Sequence, residues 1–350
     1  MNTATVSPTQ TIQRARALTS VLLEHADLIG RVEARMIELA GDRIQDPAAR
    51  MVCEHLDTGG KRLRARLALA ACDALGGSAE AAIDWAAAVE LLHNASLVHD
   101  DIQDGDQSRR GRPALWARHG TAQAINAGDL LLMLPFRALG RYPAEMQAAL
   151  VQILAEYAES TARGQVLELG LRAAADKGWS AYFNAVSGKT GTLFALPVCG
   201  SARLAGLPTE DAKGLASVFA SIGVIYQLQD DLLDLFDAKG RGTRGSDIYE
   251  GRLSAAVLTH LDLHPDEADA VFEVLATPRH QTSADDVQRL IARLIDDGAT
   301  AQLAKRIEFL AAELLASPIL RESPEMHAVA RELVQQVLAP LELTKGAHGE

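Results

Sequence analysis

Two apolar segments of this chain each end in a cluster of aspartates, and this pattern constrains the fold more than any other feature. Residues 81–98 are apolar nearly all round and lead into the sequence DDIQD at 100–104, whereas residues 219–228 lead into DDLLD at 230–234. An apolar helix without a polar face belongs in the middle of a helical bundle. The first and last aspartates of each cluster lie one turn apart on the same helix face. The fold therefore has to bury two helices and also supply cations to the carboxylates at their ends.

The rest of the chain also has helical periodicity. Ala- and Leu-rich runs are long and β-branched stretches are few in a sequence that is 48% hydrophobic, which favours helix over sheet. We predict an all-α fold with helices at 9–39, 62–75, 81–104, 121–139, 145–172, 182–204 and 210–236, and several within 253–343. No low-complexity linker or fixed-period repeat divides the chain, so we predict one domain over residues 1–350.

Single residues predict where some helices begin or bend. Pro135 and Pro197 lie inside apolar helical pattern, and we expect them to kink or interrupt those helices. Ser283 followed by Asp286 resembles a capping box, which indicates the start of a helix.

The acidic composition limits the possible partners. A net charge of -12 and an isoelectric point near 5.3 oppose broad attraction to nucleic acid or to an anionic membrane surface. The N-terminal segment has no apolar run that could act as a signal peptide, and no uncharged stretch is long enough to span a bilayer. Cys53, Cys72 and Cys199 lie in apolar helical pattern, so we expect reduced core residues. The sequence predicts a cytoplasmic enzyme without a membrane span or a nucleic-acid partner.

The two aspartate clusters predict a metal site. Carboxylates this close to one another repel unless a cation neutralises them. Hard oxygen ligands with no His or Cys among them suit Mg²⁺, which normally binds together with phosphate groups. A single cluster fits a solvated helix end equally well, whereas two clusters on two apolar helices favour a functional site.

Basic residues lie close to the first cluster in the sequence. The sequence GGKRLR at 59–64 forms a Gly-rich turn that opens onto a helix, where backbone N–H groups and the helix dipole favour phosphate. Arg109, Arg110 and Arg112 follow the first cluster after a short loop, and their guanidinium groups suit phosphate oxygens. Taken alone, each motif also fits a basic, solvated surface.

Several polar residues occur within apolar helical pattern. His93 lies two turns before Asp100 on the same helix face, where it is either a diphosphate contact or a core histidine with its hydrogen bonds satisfied. Four further residues need a polar partner if they are buried, namely Gln165, Glu168, Lys189 and Thr190.

Together, these segments resemble the trans-type isoprenyl diphosphate synthases, the polyprenyl synthetase family. The matching motifs, in the order of that family, are GGKRLR at 59–64, DDIQD at 100–104 with RRGRP at 109–113, GQ at 164–165, KT at 189–190, QLQDDLLD at 227–234 and SDIYEG at 246–251. The matching region spans roughly residues 59–257. The resemblance implies an all-α fold, a large antiparallel helical bundle around a central cavity, usually as a homodimer. It implies a Mg²⁺-dependent enzyme that condenses isopentenyl diphosphate with an allylic diphosphate, head to tail, to an all-trans prenyl diphosphate.

The resemblance also assigns roles to individual residues. Mg²⁺, about three ions per active site, would be held by Asp100, Asp101, Asp104, Asp230, Asp231 and Asp234. Arg109 and Lys189 would assist at the allylic diphosphate, and Gln227 would line the reaction centre. The residues implied for the diphosphate of isopentenyl diphosphate are Gly60, Lys61, Arg64, His93 and Arg110. Gln165 and Thr190 complete the predicted substrate-binding set.

The sequence departs from the family pattern at three places. Ala65 stands where relatives often have proline. The family's lysine after the second cluster has no clear counterpart, and Lys239, Arg241 and Arg244 are the alternatives. Arg252 lies in EGRLSA where many relatives have EGK followed by TLP, so we expect that helix to begin differently. None of these changes removes an aspartate, so the sequence does not indicate an inactive subunit.

Three other protein classes fit part of the pattern. A class I terpene cyclase would carry an NSE-type second motif and would lack GGKRLR. A non-catalytic subunit of a heteromeric prenyl synthase would lack one aspartate cluster. A purely structural bundle would bury carboxylates without a use, at a considerable desolvation cost. The sequence favours the catalytic prenyltransferase over all three.

Product length should depend on the helix that carries the first cluster. Ser96 and Ala95 lie four and five residues before that cluster, about 6 and 7.5 Å deeper along the helix, and both are small where short-chain relatives often have aromatic rings. We therefore expect growth past a farnesyl chain. The next candidates for a cavity floor are Leu92, Val89 and residues 130–133. Their moderate size favours geranylgeranyl diphosphate over a C25–C40 product, although small residues here also fit close helix packing.

Overall fold

The computed structural model of the chain describes residues 21–171, 178–236 and 244–346, with side chains up to Leu341. These residues form an all-α fold apart from one short hairpin, which confirms the predicted fold class. The first part contains α1 (Ala26–Ala40), α2 (Pro47–Leu56), α3 (Leu63–Ala74), α4 (Ile83–Asp104), β1 (Ser108–Arg109), β2 (Arg112–Pro113), α5 (Leu115–His119), α6 (Thr121–Leu139) and α7 (Ala144–Gly170).

The second part continues the bundle. It contains α8 (Trp179–Val186), a π-helical turn (Ser187–Gly191), α9 (Thr192–Leu204), α10 (Thr209–Asp234), α11 (Ser246–Tyr249), α12 (Ala255–Leu263), a 3-10 turn (Pro265–Glu267), α13 (Ala268–Ala276), α14 (Ala284–Asp296), α15 (Ala299–Leu315), α16 (Pro318–Arg321) and α17 (Pro324–Gly346).

The long helices lie close to their predicted positions. The predicted segment 121–139 is helix α6, and the predicted segment 81–104 is α4, which begins two residues later. The segment 9–39 lies partly outside the described residues. The sequence analysis missed α2, although Asp46 caps it by accepting a 2.8 Å hydrogen bond from the Ala48 N–H and Pro47 occupies its first turn.

Pro135 and Pro197 do not interrupt their helices, so of the two expected effects, a kink or an interruption, the interruption does not occur. Trp85 Nε1 of α4 donates a 3.0 Å hydrogen bond to the Pro197 carbonyl, which fixes α9 against α4. A Cβ on Gly200 would lie 2.1 Å from the Trp85 ring, so only glycine admits the indole here. The expected helix start at Ser283 was correct, since its hydroxyl accepts from the Asp285 N–H at 3.2 Å.

Helix α9 lies at the centre of the bundle, where eleven of its thirteen residues are buried. Leu193 and Leu196 belong to an apolar cluster formed mainly by helices that precede α9 in the chain. Phe194 and Val198 belong to a second cluster, formed mainly by helices that follow α9. α9 therefore joins the two halves of the apolar core. The three cysteines are buried and unpaired, as the sequence analysis expected.

Candidate active site

The segment 246–255 connects the two helices that carry the aspartates. Arg252 Nη2 donates to Asp104 Oδ2 at the end of α4, and the Ala255 N–H donates to Asp231 Oδ2 in α10 at 2.8 Å. Asp104, Asp231 and Arg252 also line a common cavity. The structure thus brings the two clusters to one site.

The three aspartates of the first cluster have different surroundings. Asp101 is only 2% exposed, and Arg109 Nε donates to its Oδ1 at 2.6 Å. Asp100 is partly exposed, with Oδ2 lying 3.7 Å from Lys189 Nζ. Burial raises the pKa of the Asp100 carboxyl to about 6, although Lys189 acts in the opposite direction. Asp101 is therefore engaged by Arg109, whereas a further cation near Asp100 would favour the ionised form of its carboxyl.

In the second cluster, Asp231 is 4% exposed and accepts hydrogen bonds from at least three donors within the described part of the chain. The donors are Gln227 Nε2 at 2.8 Å, the Tyr182 hydroxyl at 2.7 Å and the Ala255 N–H at 2.8 Å. This carboxylate therefore holds together three separate elements of the bundle. The sequence analysis did not identify Tyr182, which lies 49 residues away along the chain.

Asp234 and Asp230 complete the second cluster. Asp234 is 4% exposed and accepts from Ser246 Oγ at 2.6 Å and from the Asp247 N–H at 3.1 Å. It therefore anchors the start of the segment 246–255. Asp230 is half-buried at the end of the same apolar helix.

Close contacts between glycines position the turn that carries Lys189 and Thr190. This turn is π-helical, whereas the sequence analysis placed it in an ordinary helix. A Cβ on Gly164 would lie 2.1 Å from the Lys189 backbone nitrogen, and one on Gly188 would lie 2.9 Å from the Gly164 Cα. Only glycine at these positions lets α7 approach the turn so closely.

Lys189 and Thr190 link the two clusters. Lys189 Nζ binds Glu168 of α7 as well as approaching Asp100, and Thr190 Oγ1 donates to Gln227 Oε1 at 3.0 Å. Burial opposes the charge of Lys189, but Glu168 and Asp100 outweigh it and raise the pKa of the ammonium above its usual value. Lys189 therefore stays protonated between two carboxylates.

Arg252 and Glu250 are site residues that the sequence analysis missed. Arg252 Nε lies 2.8 Å from Glu250 Oε2, and its Nη1 lies 3.7 Å from Asp247 Oδ1 and 3.9 Å from Glu168 Oε1. Burial raises the pKa of Glu250 to about 7, against the opposing effect of Arg252. The signal was present in the sequence, because Arg252 keeps a cation where relatives have lysine.

Of the three alternatives for the family's missing lysine, Arg244 is the one among the described residues. Lys239 and Arg241 lie outside the described residues. Arg244 Nε donates to the Leu235 carbonyl at 2.6 Å, and its Nη1 lies 3.5 Å from Gln288 Oε1. These contacts direct the Arg244 side chain toward α14. Among the described residues of this region, Arg252 is therefore the basic residue that reaches the aspartate clusters.

A basic pocket lies beside the first cluster. Arg110 Nη1 donates to the Gly59 carbonyl, and the guanidinium covers Gly60 so closely that a Cβ there would lie 2.7 Å from it. Gly60 has φ +133°, which also favours glycine. Lys61 is exposed at the rim of this turn.

Two histidines, the buried His55 and the half-buried His93, face the arginines of this pocket. Arg64 Nη1 lies 3.1 Å from His93 Nε2, and the Arg64 guanidinium lies 5.2 Å from the centre of the Phe194 ring. Burial, followed by the charge of Arg64, lowers the pKa of His93 well below its usual value. Burial, followed by Arg109 and Arg110, lowers the pKa of His55 to about 3. Both imidazoles are neutral, so the pocket's positive charge comes from its arginines.

Gln165 lies at the outer end of α4 rather than inside the basic pocket. Its Nε2 donates to Gln103 Oε1 at 2.7 Å. Its own Oε1 is buried and has no hydrogen-bond partner among the described residues. Gln165 Oε1 can therefore accept a hydrogen bond from a bound molecule.

The residues considered for product length separate into two groups. Ala95 is 0% exposed and packs among apolar side chains, whereas Ser96, on the face of Asp100, keeps partial exposure. Met133 is 55% exposed and Leu131 is fully buried. Ser96 is thus the accessible small residue, and Met133 does not face the interior of the chain.

An all-α bundle in which two aspartate clusters line one cavity beside an arginine-rich pocket is the arrangement of a metal-dependent enzyme acting on diphosphates. The family model described as Polyprenyl synthetase matches residues 46–294. The chain belongs to this family, whose members are trans-prenyltransferases that act on isoprenyl diphosphates with divalent metal ions. The prenyltransferase interpretation of the sequence is therefore confirmed.

Relatives and solved structures agree with this assignment. The chain is 34% identical to a short chain isoprenyl diphosphate synthase of Methanothermobacter thermautotrophicus over 64% of this chain and 73% of the relative. It is 30% identical to a geranylgeranyl pyrophosphate synthase of Geoglobus acetivorans over 88% and 94%. A polyprenyl synthase from Caulobacter crescentus, solved with calcium and isoprenyl diphosphate, has a TM-score of 0.81 at 26% identity over 91% and 97%. Among the described residues, no helix is long and apolar enough to cross a membrane.

Proposed function

We propose that this enzyme condenses isopentenyl diphosphate with an allylic diphosphate and releases geranylgeranyl diphosphate as its main product. The observation that carries the product length is Ser96, a small and partly accessible side chain one turn before Asp100 on α4. Leu92, one further turn down, is 5% exposed and is the next bulky group on that face. The similarity to a geranylgeranyl pyrophosphate synthase supports the same length. A C25–C40 product is the alternative.

The metal is proposed to be Mg²⁺, held by Asp100, Asp104 and Asp230. The donors are carboxylate oxygens without imidazole or thiolate, and the raised pKa of Asp100 indicates a site that favours an added cation. When bound, Mg²⁺ would stabilise the negative charge on the departing allylic diphosphate. Lys189 and Arg252, already placed among these carboxylates, would contact the same diphosphate oxygens.

The other three aspartates are proposed to be positioning residues. Asp101, Asp231 and Asp234 are 2%, 4% and 4% exposed, and protein groups donate hydrogen bonds to all three. Asp104 also binds Arg252, but its side chain is 11% exposed and lines the cavity. This proposal is narrower than the sequence-based prediction, which gave all six aspartates one role. It leaves each cluster with at least one carboxylate for the metal ions.

The basic pocket is proposed to bind the diphosphate of isopentenyl diphosphate. Arg64, Arg110 and the exposed Lys61 would supply the charge, and the neutral His93 would supply one hydrogen bond. Arg109, next to Arg110 in the chain, binds Asp101, which places the pocket beside the first cluster. The two substrates would therefore bind next to each other. Such positioning supplies much of the rate advantage of a two-substrate reaction.

Gln227 and Thr190 are proposed to face the reacting carbons. The Gln227 amide lines the cavity and is fixed at both ends, by the Thr190 hydroxyl and by Asp231. A fixed amide oxygen and hydroxyl oxygen stabilise positive charge that develops on an allylic carbon, because they need no reorganisation during the reaction.

The enzyme is proposed to be a homodimer formed through α6. Ile125, Met133 and Phe136 are 43%, 55% and 38% exposed, and their spacing places them on one side of this helix. An apolar face of this kind usually marks an interface. Met133→Glu should give monomers in analytical ultracentrifugation, whereas Gln123→Glu, on another side of α6, should not. Dimers of the Met133→Glu variant would contradict this interface.

Product length can be tested with two substitutions at one position. The wild-type protein should convert labelled isopentenyl diphosphate and dimethylallyl diphosphate mainly to a product that gives geranylgeraniol after dephosphorylation. Ser96→Phe should shorten the main product by filling the cavity, and Ser96→Ala should leave it unchanged. Unchanged product length in Ser96→Phe would contradict the proposed floor.

A further inference from the structure

A second cluster of metal-ligating side chains lies outside the aspartate-lined cavity. His260 and His264 are one helical turn apart at the end of α12, and Asp297 directly follows α14. One ring nitrogen of each histidine and one carboxylate oxygen of Asp297 lie within 4.8 Å of one another. Imidazole and carboxylate together suit zinc and similar transition metals, unlike the carboxylate-only Mg²⁺ site.

His260 carries an unsatisfied polar atom into this cluster. Its side chain is 0% exposed, and its Nε2 lies 3.0 Å from Glu267 Oε2. Its Nδ1 is buried, has no hydrogen-bond partner among the described residues and lies 3.6 Å from Asp297 Oδ2. When Nε2–H donates to Glu267, the Nδ1 lone pair of a neutral imidazole faces a carboxylate oxygen, which is unfavourable. A cation between the two atoms removes this conflict.

Two of the three distances between ligand atoms are close to those of a tetrahedral site, and the third is within 4.8 Å. Ligand bonds of about 2.0–2.2 Å place neighbouring ligand atoms roughly 3.3–3.6 Å apart in such a site. Asp297 Oδ2 lies 3.6 Å from His260 Nδ1 and 3.9 Å from His264 Nε2. The side chains of His264 and Asp297 are 36% and 28% exposed, so both have room for the small movement that closes the site.

The surroundings of the cluster favour a bound cation. α12 ends at Leu263 and α14 ends at Asp296, so two helix C-termini converge here, and their carbonyl ends attract positive charge. Arg293 is the competing cation, with Nε 3.7 Å from Asp297 Oδ2 and Nη2 bound to Glu267. Glu267 and Asp297 carry two negative charges and Arg293 carries one positive charge. With both histidines neutral, the cluster therefore has one net negative charge.

We propose that His260, His264 and Asp297 bind one divalent transition-metal ion of the Zn²⁺ class. Glu267 orients His260 by accepting its other ring proton, as carboxylates commonly do for metal-bound histidines. The ion joins α12 to α14. Since α12 begins at Ala255, which donates to Asp231, the ion stabilises a helix that adjoins the aspartate clusters without taking part in their chemistry.

The test uses Co²⁺ as a spectroscopic probe and Zn²⁺ as a competitor, with excess Mg²⁺ present to fill the carboxylate sites. Wild-type protein should take up one equivalent of Co²⁺ with the intense visible absorption of a tetrahedral site, and Zn²⁺ should abolish that absorption. Zn²⁺ should also raise the Tm. His264→Gln and Asp297→Asn should lose the Co²⁺ absorption and the Tm shift, and Glu267→Gln should weaken binding about 10- to 100-fold.

The control is His280→Gln, which removes an exposed histidine outside the cluster and should bind Co²⁺ like the wild type. Circular dichroism of each variant verifies that it is folded. Co²⁺ uptake that is equal in wild type and His264→Gln would overturn the proposal. So would wild-type protein without tetrahedral absorption at micromolar Co²⁺, because the cluster would then be a histidine–carboxylate hydrogen-bond network only.

Discussion

The Tyr182 hydroxyl donates a 2.7 Å hydrogen bond to Asp231 Oδ2, and both side chains are buried. The same carboxylate accepts from Gln227 and from the Ala255 N–H, so it ties α8, α10 and α12 together. Asp231 is also more buried than its neighbour Asp230 in the motif. The difference in burial supports the proposed division between aspartates that hold metal ions and aspartates that position the site.

The aspartates should consequently respond differently to substitution by asparagine. Asp100→Asn and Asp230→Asn should lower kcat by a factor on the order of 10²–10³ with an unchanged or slightly higher Tm, because they remove like charges from a crowded site. Asp231→Asn should also lower stability by about 1–3 kcal/mol, because an amide NH₂ would face a hydrogen-bond donor. Steady-state kinetics and thermal unfolding measure the two effects. An Asp230→Asn variant as unstable as Asp231→Asn would contradict the division.

The Gly-rich turn offers a test of the basic pocket. A methyl group at Gly60 would lie 2.7 Å from the Arg110 guanidinium, so Gly60→Ala should displace it and raise KM for isopentenyl diphosphate about 10- to 100-fold. Gly59→Ala is the matched control, because its φ is also positive, +78°, but nothing lies within 4 Å of the added methyl. KM for the allylic substrate should change little. An effect confined to that substrate would reverse the assignment of the two subsites.

Much of this site could be predicted from the sequence because its ligands occur in short, dense motifs. The aspartates of both clusters are adjacent in the chain and follow apolar helices, so their common location is predictable. The separate roles of Asp101 and Asp231 were not predictable, since Arg109 and Tyr182 define them through tertiary contacts.

The burial of single residues on α4 and the π-helical turn cannot be predicted from the spacing of apolar residues along the chain. α4 is apolar nearly all round, so its sequence does not reveal that Ala95 is buried while Ser96 remains accessible. The π-helical turn at Ser187–Gly191 lies against Gly164 of α7, a tertiary contact between residues that are distant in the chain. In contrast, α2 was missed although its Asp-Pro start was readable.

We expect the Arg252 guanidinium to neutralise the carboxylates of Asp104 and Glu250 when no metal ion is bound. Arg252→Ala leaves Asp104 and Glu250 without their main cation, so the variant should have a lower Tm in chelator, and Mg²⁺ should raise that Tm more than it raises the wild-type Tm. Differential scanning fluorimetry with and without Mg²⁺ measures this difference. Arg163→Ala, which loses only an exposed i,i+4 pair, is the control. Equal Mg²⁺ shifts in Arg252→Ala and wild type would contradict the role.

His55 should make the substrate-free protein less stable as the pH falls. Its pKa is lowered to about 3 in the folded state, so the unfolded chain binds the extra proton below about pH 6.5. The free energy of unfolding should therefore fall by up to about 2 kcal/mol between pH 7 and pH 5 from this residue alone. Urea unfolding of wild type and His55→Gln should give a shallower pH dependence in the variant. His280→Gln is the control, and identical slopes for His55→Gln and wild type would contradict the prediction.

The most direct test of the account is the incorporation of labelled isopentenyl diphosphate into acid-labile product as Mg²⁺ is varied. Wild-type protein with an allylic diphosphate should show no incorporation in excess chelator and full incorporation at millimolar Mg²⁺, with geranylgeraniol as the main alcohol after dephosphorylation. Undiminished incorporation in chelator, or none at any Mg²⁺ concentration, would contradict the proposal that the two aspartate clusters hold the metal ions of a prenyl transfer reaction.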